Sequence, residues 1–99
     1  MATLHQLLSS DPRAAADCAA LLVAGDEVLL VDAGVEMLGA TGSLETLRHL
    51  VSDHRVHALR ADVVARGLAW HAEQHAVALL SDRDWVDRVR AHQRVISWR

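Results

Sequence analysis

The chain contains no lysine, no phenylalanine and no tyrosine. Without lysine there is no Schiff-base amine and no P-loop lysine, so two large classes of enzyme chemistry are excluded. All ten basic residues are arginine, and with thirteen acids the formal charge is −3, which gives no global field to attract nucleic acid. Three tryptophans are the only aromatics, too few for a base-stacking surface of the RRM or OB kind. A single cysteine, Cys18, rules out an internal disulfide and a CxxC redox pair. No apolar run approaches the ~20 residues that span a bilayer. The first residues, Met1 to Gln6, show neither a basic n-region nor a long apolar h-region, so a cytoplasmic setting is expected.

What is present is apolar. Hydrophobic residues make up 52% of the 99, enough to build a core, and the expectation is one small domain over 1–99. So apolar a small domain is also expected to hide surface in an oligomer. The chain is organised around Glu27-Val28-Leu29-Leu30-Val31-Asp32-Ala33-Gly34. A run without polar alternation has no solvent face and reads as a strand covered on both sides, as in a parallel sheet. Its acid and glycine end place the sheet's carboxyl edge near Asp32, where ligands of open α/β sheets usually sit.

Around that strand the elements alternate. Thr3–Leu8 reads as a first strand. Asp11 and Pro12 open a helix over Arg13–Ala24, with Gly25 as its stop and Ala14, Cys18, Leu21 and Leu22 on one face. Gly34–Gly42 reads as irregular. Ser43 caps a helix whose inward stripe is Leu44, Leu47, Leu50 and Val51. Arg55–Leu59 is a third strand. Ala61–Leu68 is a short helix with Asp62 and Arg66 spaced to pair, and Gly67 suits a left-handed cap. His75–Leu80 is a fourth strand, carried by Ala76-Val77-Ala78-Leu79-Leu80. Ser81 and Asp84 form a capping box for a helix to about His92, expected to bury Trp85, Val86 and Val89. Val95–Trp98 is a last strand. Strict alternation implies parallel strands joined by right-handed crossovers, hence a Rossmann-like α/β layer of about five short strands whose spatial order is not legible.

Few groups on this scaffold offer chemistry. His71 and His75 are spaced i, i+4, but the zincin pattern needs glutamate directly after the first histidine and Ala72 stands there, so no metal site is expected. His54 and His57 flank the third strand with no serine or cysteine nucleophile beside them in sequence; solvent or structural roles are expected. Gly34, Gly39 and Gly42 do not form GxGxxG, and no GK[ST] follows, so no nucleotide cofactor is expected. Cys18 is the only candidate sulfur nucleophile. Its mid-helix position on an apolar face favours packing, and Asp17 beside it would not lower its pKa.

Several stretches together resemble the TusB/DsrH family. They are Leu4-His5 followed by Leu7; Val28-Leu29-Leu30 leading into an acid and Gly34; Asp62 with Ala65-Arg66-Gly67-Leu68; Trp85-Val86-Asp87; and Trp98 near the end. Their order and spacing along the whole chain carry the resemblance. It implies a Rossmann-like fold and the place of the small third subunit, with a largely structural, assembly role, in a heterohexamer with TusC/DsrF-like and TusD/DsrE-like subunits. Such complexes relay persulfide sulfur through a TusE/DsrC-like acceptor, for 2-thiolation of the tRNA wobble uridine or for sulfur oxidation. The resemblance puts the principal sulfur-accepting cysteine on the TusD/DsrE-like partner. DsrH-type members carry a cysteine seven residues before the glycine that precedes strand two; Cys18 and Gly25 match that spacing, which makes Cys18 the candidate persulfide carrier of this chain. Where the family commonly has Asp-Gly after the second strand, Ala33 precedes Gly34 and the acid stands at Asp32. No nucleic-acid or membrane contact is implied. The alternative from another class is a stand-alone α/β module that binds a ligand at the Asp32–Gly42 edge.

Overall fold

In the computed structural model, residues 2–39, 44–53 and 55–99 are described. The expectations that rest on Gly42, Ser43 and His54 lie outside the described residues. Five strands, β1 (Thr3–Leu7), β2 (Glu27–Leu30), β3 (Val56–Leu59), β4 (Ala78–Leu80) and β5 (Arg94–Trp98), form one sheet in the order β4-β3-β2-β1-β5. Every pairing is parallel. The helices are α1 (Pro12–Leu21), α2 (Arg48–Ser52), α3 (Arg60–Ala65), α4 (Ala69–Gln74) and α5 (Asp82–Ala91), with 3₁₀ segments over Asp32–Leu38 and Leu44–Leu47. The expected α/β class with about five parallel strands is therefore what is observed.

The strand order explains how the helices are distributed. Three connections step from β1 to β2, β3 and β4 in one direction, and right-handed crossovers place them all on the same face. The fourth runs back across the sheet from β4 to β5 and falls on the opposite face. The packing agrees. Ala14, Ala15 and Cys18 of α1, Val35, Met37 and Leu38 of the 3₁₀ segment, Leu50 and Val51 of α2, Val63 of α3 and Ala72 of α4 all join the core built on Leu7, Val28, Leu30, Val56 and Ala58. The other face, Leu4, Leu29, Val31, Leu59 and Leu80, is met by Trp85 and Val89 of α5.

Local signals set several ends. Asp11 accepts a hydrogen bond from the Arg13 N–H (2.9 Å) with Pro12 in the first turn of α1. Ser81 and Asp84 close a reciprocal capping box on α5. Gly67 adopts φ +67° and terminates the α3 region, a conformation that side chains with a Cβ resist.

Other boundaries differ from the sequence expectation. α1 ends at Leu21 because Leu22 turns extended and bonds back to Ala19; Leu21, still helical, falls at the margin of the face buried by Ala14, Ala15 and Cys18 and is 58% exposed. Gly25 is left-handed but sits in the following turn. Asp32–Leu38 is helical, not irregular. A separate helix, α4, fills residues where none was expected. β4 begins only at Ala78, because Ala76 takes φ +57° and cannot extend a strand. On α5, Val86 is 47% exposed; Trp85 and Val89, one turn apart, already span the contact and turn Val86 outward. The α5 contact is tied by polar bonds: the Trp85 indole N–H donates to Gln6 Oε1 (2.7 Å), and Arg88 pairs with Glu27 of β2.

Candidate functional site

Cys18 lies on the buried side of α1 and is fully enclosed. Burial pushes its thiol up to about 12, and the charge of Asp26 adds to the shift. So placed, the thiol is disfavoured as a thiolate, which is the reactive form.

Asp26 is in turn one partner of a buried polar pair, with His5, that the sequence analysis did not bring together. Asp26 and His5 are each only 1% exposed. The Trp98 indole N–H donates to His5 Nδ1 at 3.1 Å. An indole nitrogen can only donate, so Nδ1 is unprotonated and the imidazole proton resides on Nε2. From there it is donated to Asp26 Oδ2 (3.0 Å). The same carboxylate accepts from the Thr3 N–H (2.9 Å) and the Val23 N–H (3.1 Å). Burial alone would raise the Asp26 pKa; the two backbone donors and His5 overcome it and hold the carboxyl below its ordinary value. One side chain thereby ties the start of β1, the turn between α1 and β2, and, through His5 and Trp98, the end of the edge strand β5.

At the carboxyl edge of the sheet a second polar cluster closes over the strand ends. Asp32 adopts φ +49°, and its N–H is taken by Asp62 Oδ2 at 2.6 Å. The Arg66 guanidinium reaches Asp32 (3.0 Å) and Glu36 (3.5 Å). Arg66 thus pairs across the edge with the 3₁₀ segment, not along its own helix with Asp62, because the Asp62 carboxylate is already committed to the strained Asp32 backbone. Gly34 belongs to the same closure: a Cβ there would overlap the Leu7 carbonyl oxygen and lie 2.7 Å from its carbon.

The histidine expectations resolve differently from one another. His71 and His75 do share a helical segment, His75 as the cap of α4, but among the described residues no group of three or more His, Cys, Asp or Glu side chains is arranged to hold a metal ion. His71 instead meets Trp70 edge-on, ring centroids 5.1 Å apart. His57 Nδ1 and His92 Nε2 flank Glu27 at 3.9 and 3.7 Å, beside Arg88.

The family model for DsrH-like proteins matches residues 9–95 of this chain. The chain belongs to that family. A curated relative, Protein TusB of Sodalis glossinidius (strain morsitans), is 36% identical over 93 residues, which is 92% of this chain and 96% of that protein. A solved structure of a conserved protein of unknown function from Bacteroides thetaiotaomicron superposes with a TM-score of 0.69 over 96% of this chain and 93% of that one; at 12% identity it shows the fold alone. Membership in the TusB/DsrH family points to a sulfur-relay role with partner subunits. Among the described residues no helix is long and apolar enough to cross a membrane.

Proposed function

We propose that residues 1–99 act as one docking unit of a cytoplasmic sulfur-relay complex, holding TusC/DsrF-like and TusD/DsrE-like sister chains in a heterohexamer that passes persulfide sulfur to a TusE/DsrC-like acceptor. The observation that carries this reading, beside family membership, is the state of Cys18. The one sulfur nucleophile of the chain is enclosed in the core with its thiol pushed up to about 12, so the relay's working cysteine is assigned to a partner and this chain shapes and steadies that partner. Exposed apolar side chains fit an assembly role: Trp70 is 63% exposed on α4, and Val64 of the neighbouring α3 is similarly open. Whether the sulfur ends in wobble-uridine 2-thiolation or in sulfur oxidation depends on the acceptor that the assembled complex meets. Co-expression with the two sister chains from the same genome tests the docking role. The expected result is stoichiometric co-purification through size exclusion at the mass of two copies of each chain. Elution of this chain alone, with the other two assembled without it, would overturn the reading.

A further inference from the structure

The sheet has two edges, and they are built differently. β4 contributes three residues and follows a left-handed Ala76, so it offers little backbone to a newcomer. β5 contributes five residues, is paired to β1 along its whole length from Thr3↔Arg94 to Leu7↔Trp98, and has no strand on its other side among the described residues. Short strands and flanking charges are the usual means of blunting an edge; only the second is present here. Arg94 begins β5 and Arg99 follows its end, and among the described residues neither has a carboxylate partner, nor does Arg90 in the last turn of α5. At the amino end of the strand lies a cavity of about 330 Å³ lined by Ala2, Thr3, Val23, Gln93 and Arg94, large enough for an aliphatic side chain.

We propose that the free edge of β5 takes an extended acidic peptide segment as a sixth strand, seating one apolar side chain of that segment in the cavity beside Arg94. Strand addition draws affinity from main-chain hydrogen bonds and selectivity from pockets for alternate side chains, and this edge supplies both. The arginines decide the sign of the partner. A second copy pairing antiparallel through β5 would bring Arg94 of each chain towards Arg99 of the other, and like charges across strands destabilise pairing; an acidic segment meets both favourably. Trp98, half-buried on β5 itself, is a built-in reporter. The inference concerns the isolated chain and does not depend on its place in a sulfur relay.

The probe is an acetylated, amidated peptide of glutamates with a single valine, so that glutamates stand on both faces of the added strand, titrated into the full chain. Binding is read as a change in tryptophan emission and as hydrogen-exchange protection confined to Arg94–Trp98. The account expects saturable binding that weakens severalfold when salt is raised past screening, and that a double charge reversal, R94E with R99E, weakens by roughly tenfold or more. The same peptide with lysine for every glutamate should not bind the unaltered chain. The same acidic peptide N-methylated on alternate amides keeps its charge and loses one hydrogen-bonding edge, so it should not bind either; this control needs no variant to fold. Equal binding of the N-methylated or the basic peptide, no binding of the acidic one, or concentration-dependent self-association that R94E abolishes would each overturn the proposal.

Discussion

Asp26→Ala is expected to lower the unfolding free energy at neutral pH by about 3 kcal/mol or more, because three N–H donors at this buried site lose their acceptor at about 1–3 kcal/mol each. That is a large share of the ~5–15 kcal/mol that holds a domain of this size. The loss has identifiable parts. The Thr3 and Val23 N–H groups lose their acceptor, and the Nε2–H of His5 is left buried without one. His5 then has no reason to keep Nδ1 free for Trp98, so the end of β5 loosens as well. Asp26→Asn keeps the shape but presents an amide to three donors and should lose more than half as much. The pH dependence distinguishes this from a packing defect. The native carboxyl titrates below its ordinary value of 3.8, so its contribution is complete above that value and is lost as pH falls through the lowered native one. Chemical denaturation of the unaltered chain should therefore steepen its decline below about pH 4, and the Asp26→Asn chain should show a flatter acid limb. Equal acid limbs in the two chains would remove the charge from the account.

Gly34→Ala is expected to cost as much as the upper part of the ~1–3 kcal/mol range for overpacking, with some distortion of the sheet's carboxyl edge. The added methyl meets the carbonyl of Leu7, not a side chain that can turn away. That carbonyl accepts the Val31 N–H (3.0 Å), and the Gly34 N–H bonds Val31 O (2.8 Å). Displacing it pries β1 from β2 just where Asp32, Asp62 and Arg66 close the edge. Gly39→Ala is the control: its new methyl would press only on the Leu68 side chain at 3.1 Å, which can shift, while the Glu36 carbonyl oxygen (3.9 Å) and the His71 ring (4.0 Å) lie at ordinary contact distance, so its cost should stay under ~1 kcal/mol. Thermal melts of both variants against the unaltered chain measure the difference. A Gly34→Ala chain as stable as Gly39→Ala would contradict the close approach.

The contrast between these two sites shows what the amino-acid sequence carried. β2 was legible because Val28-Leu29-Leu30-Val31 has no polar alternation, and a strand covered on both faces has no other pattern. Parallel pairing followed from strict alternation, and the Ser81–Asp84 cap from its spacing. α4 was not legible because Leu68 brings no capping side chain and Gly67 precedes it, so Ala69–Gln74 had no start signal. Leu21 was placed on the buried face because Ala15 was left out of it; with Ala14, Ala15 and Cys18 inward, Leu21 falls at that face's margin. The Asp62–Arg66 spacing was sound for an isolated helix, but the strained Asp32 N–H claimed the acid. His5 with Asp26 was beyond reach: 21 positions separate them, and they meet only because β1 and β2 lie parallel in one register. A histidine inside an apolar strand and an acid at the foot of the next were the available signals, and neither names the other. The polar core of the protein was thus the part hardest to read, since it depends on topology, whereas the apolar core repeats its pattern locally.

The most direct test follows the sulfur. The proposed complex, this chain co-purified with its two sister chains, is loaded with a persulfide donor and each chain is weighed intact, with and without reductant. The account predicts a reducible addition of one sulfur atom on the TusD/DsrE-like partner and an unmodified Cys18 in this chain. A reducible sulfur on this chain that vanishes in Cys18→Ser, while the partner stays bare, would contradict it.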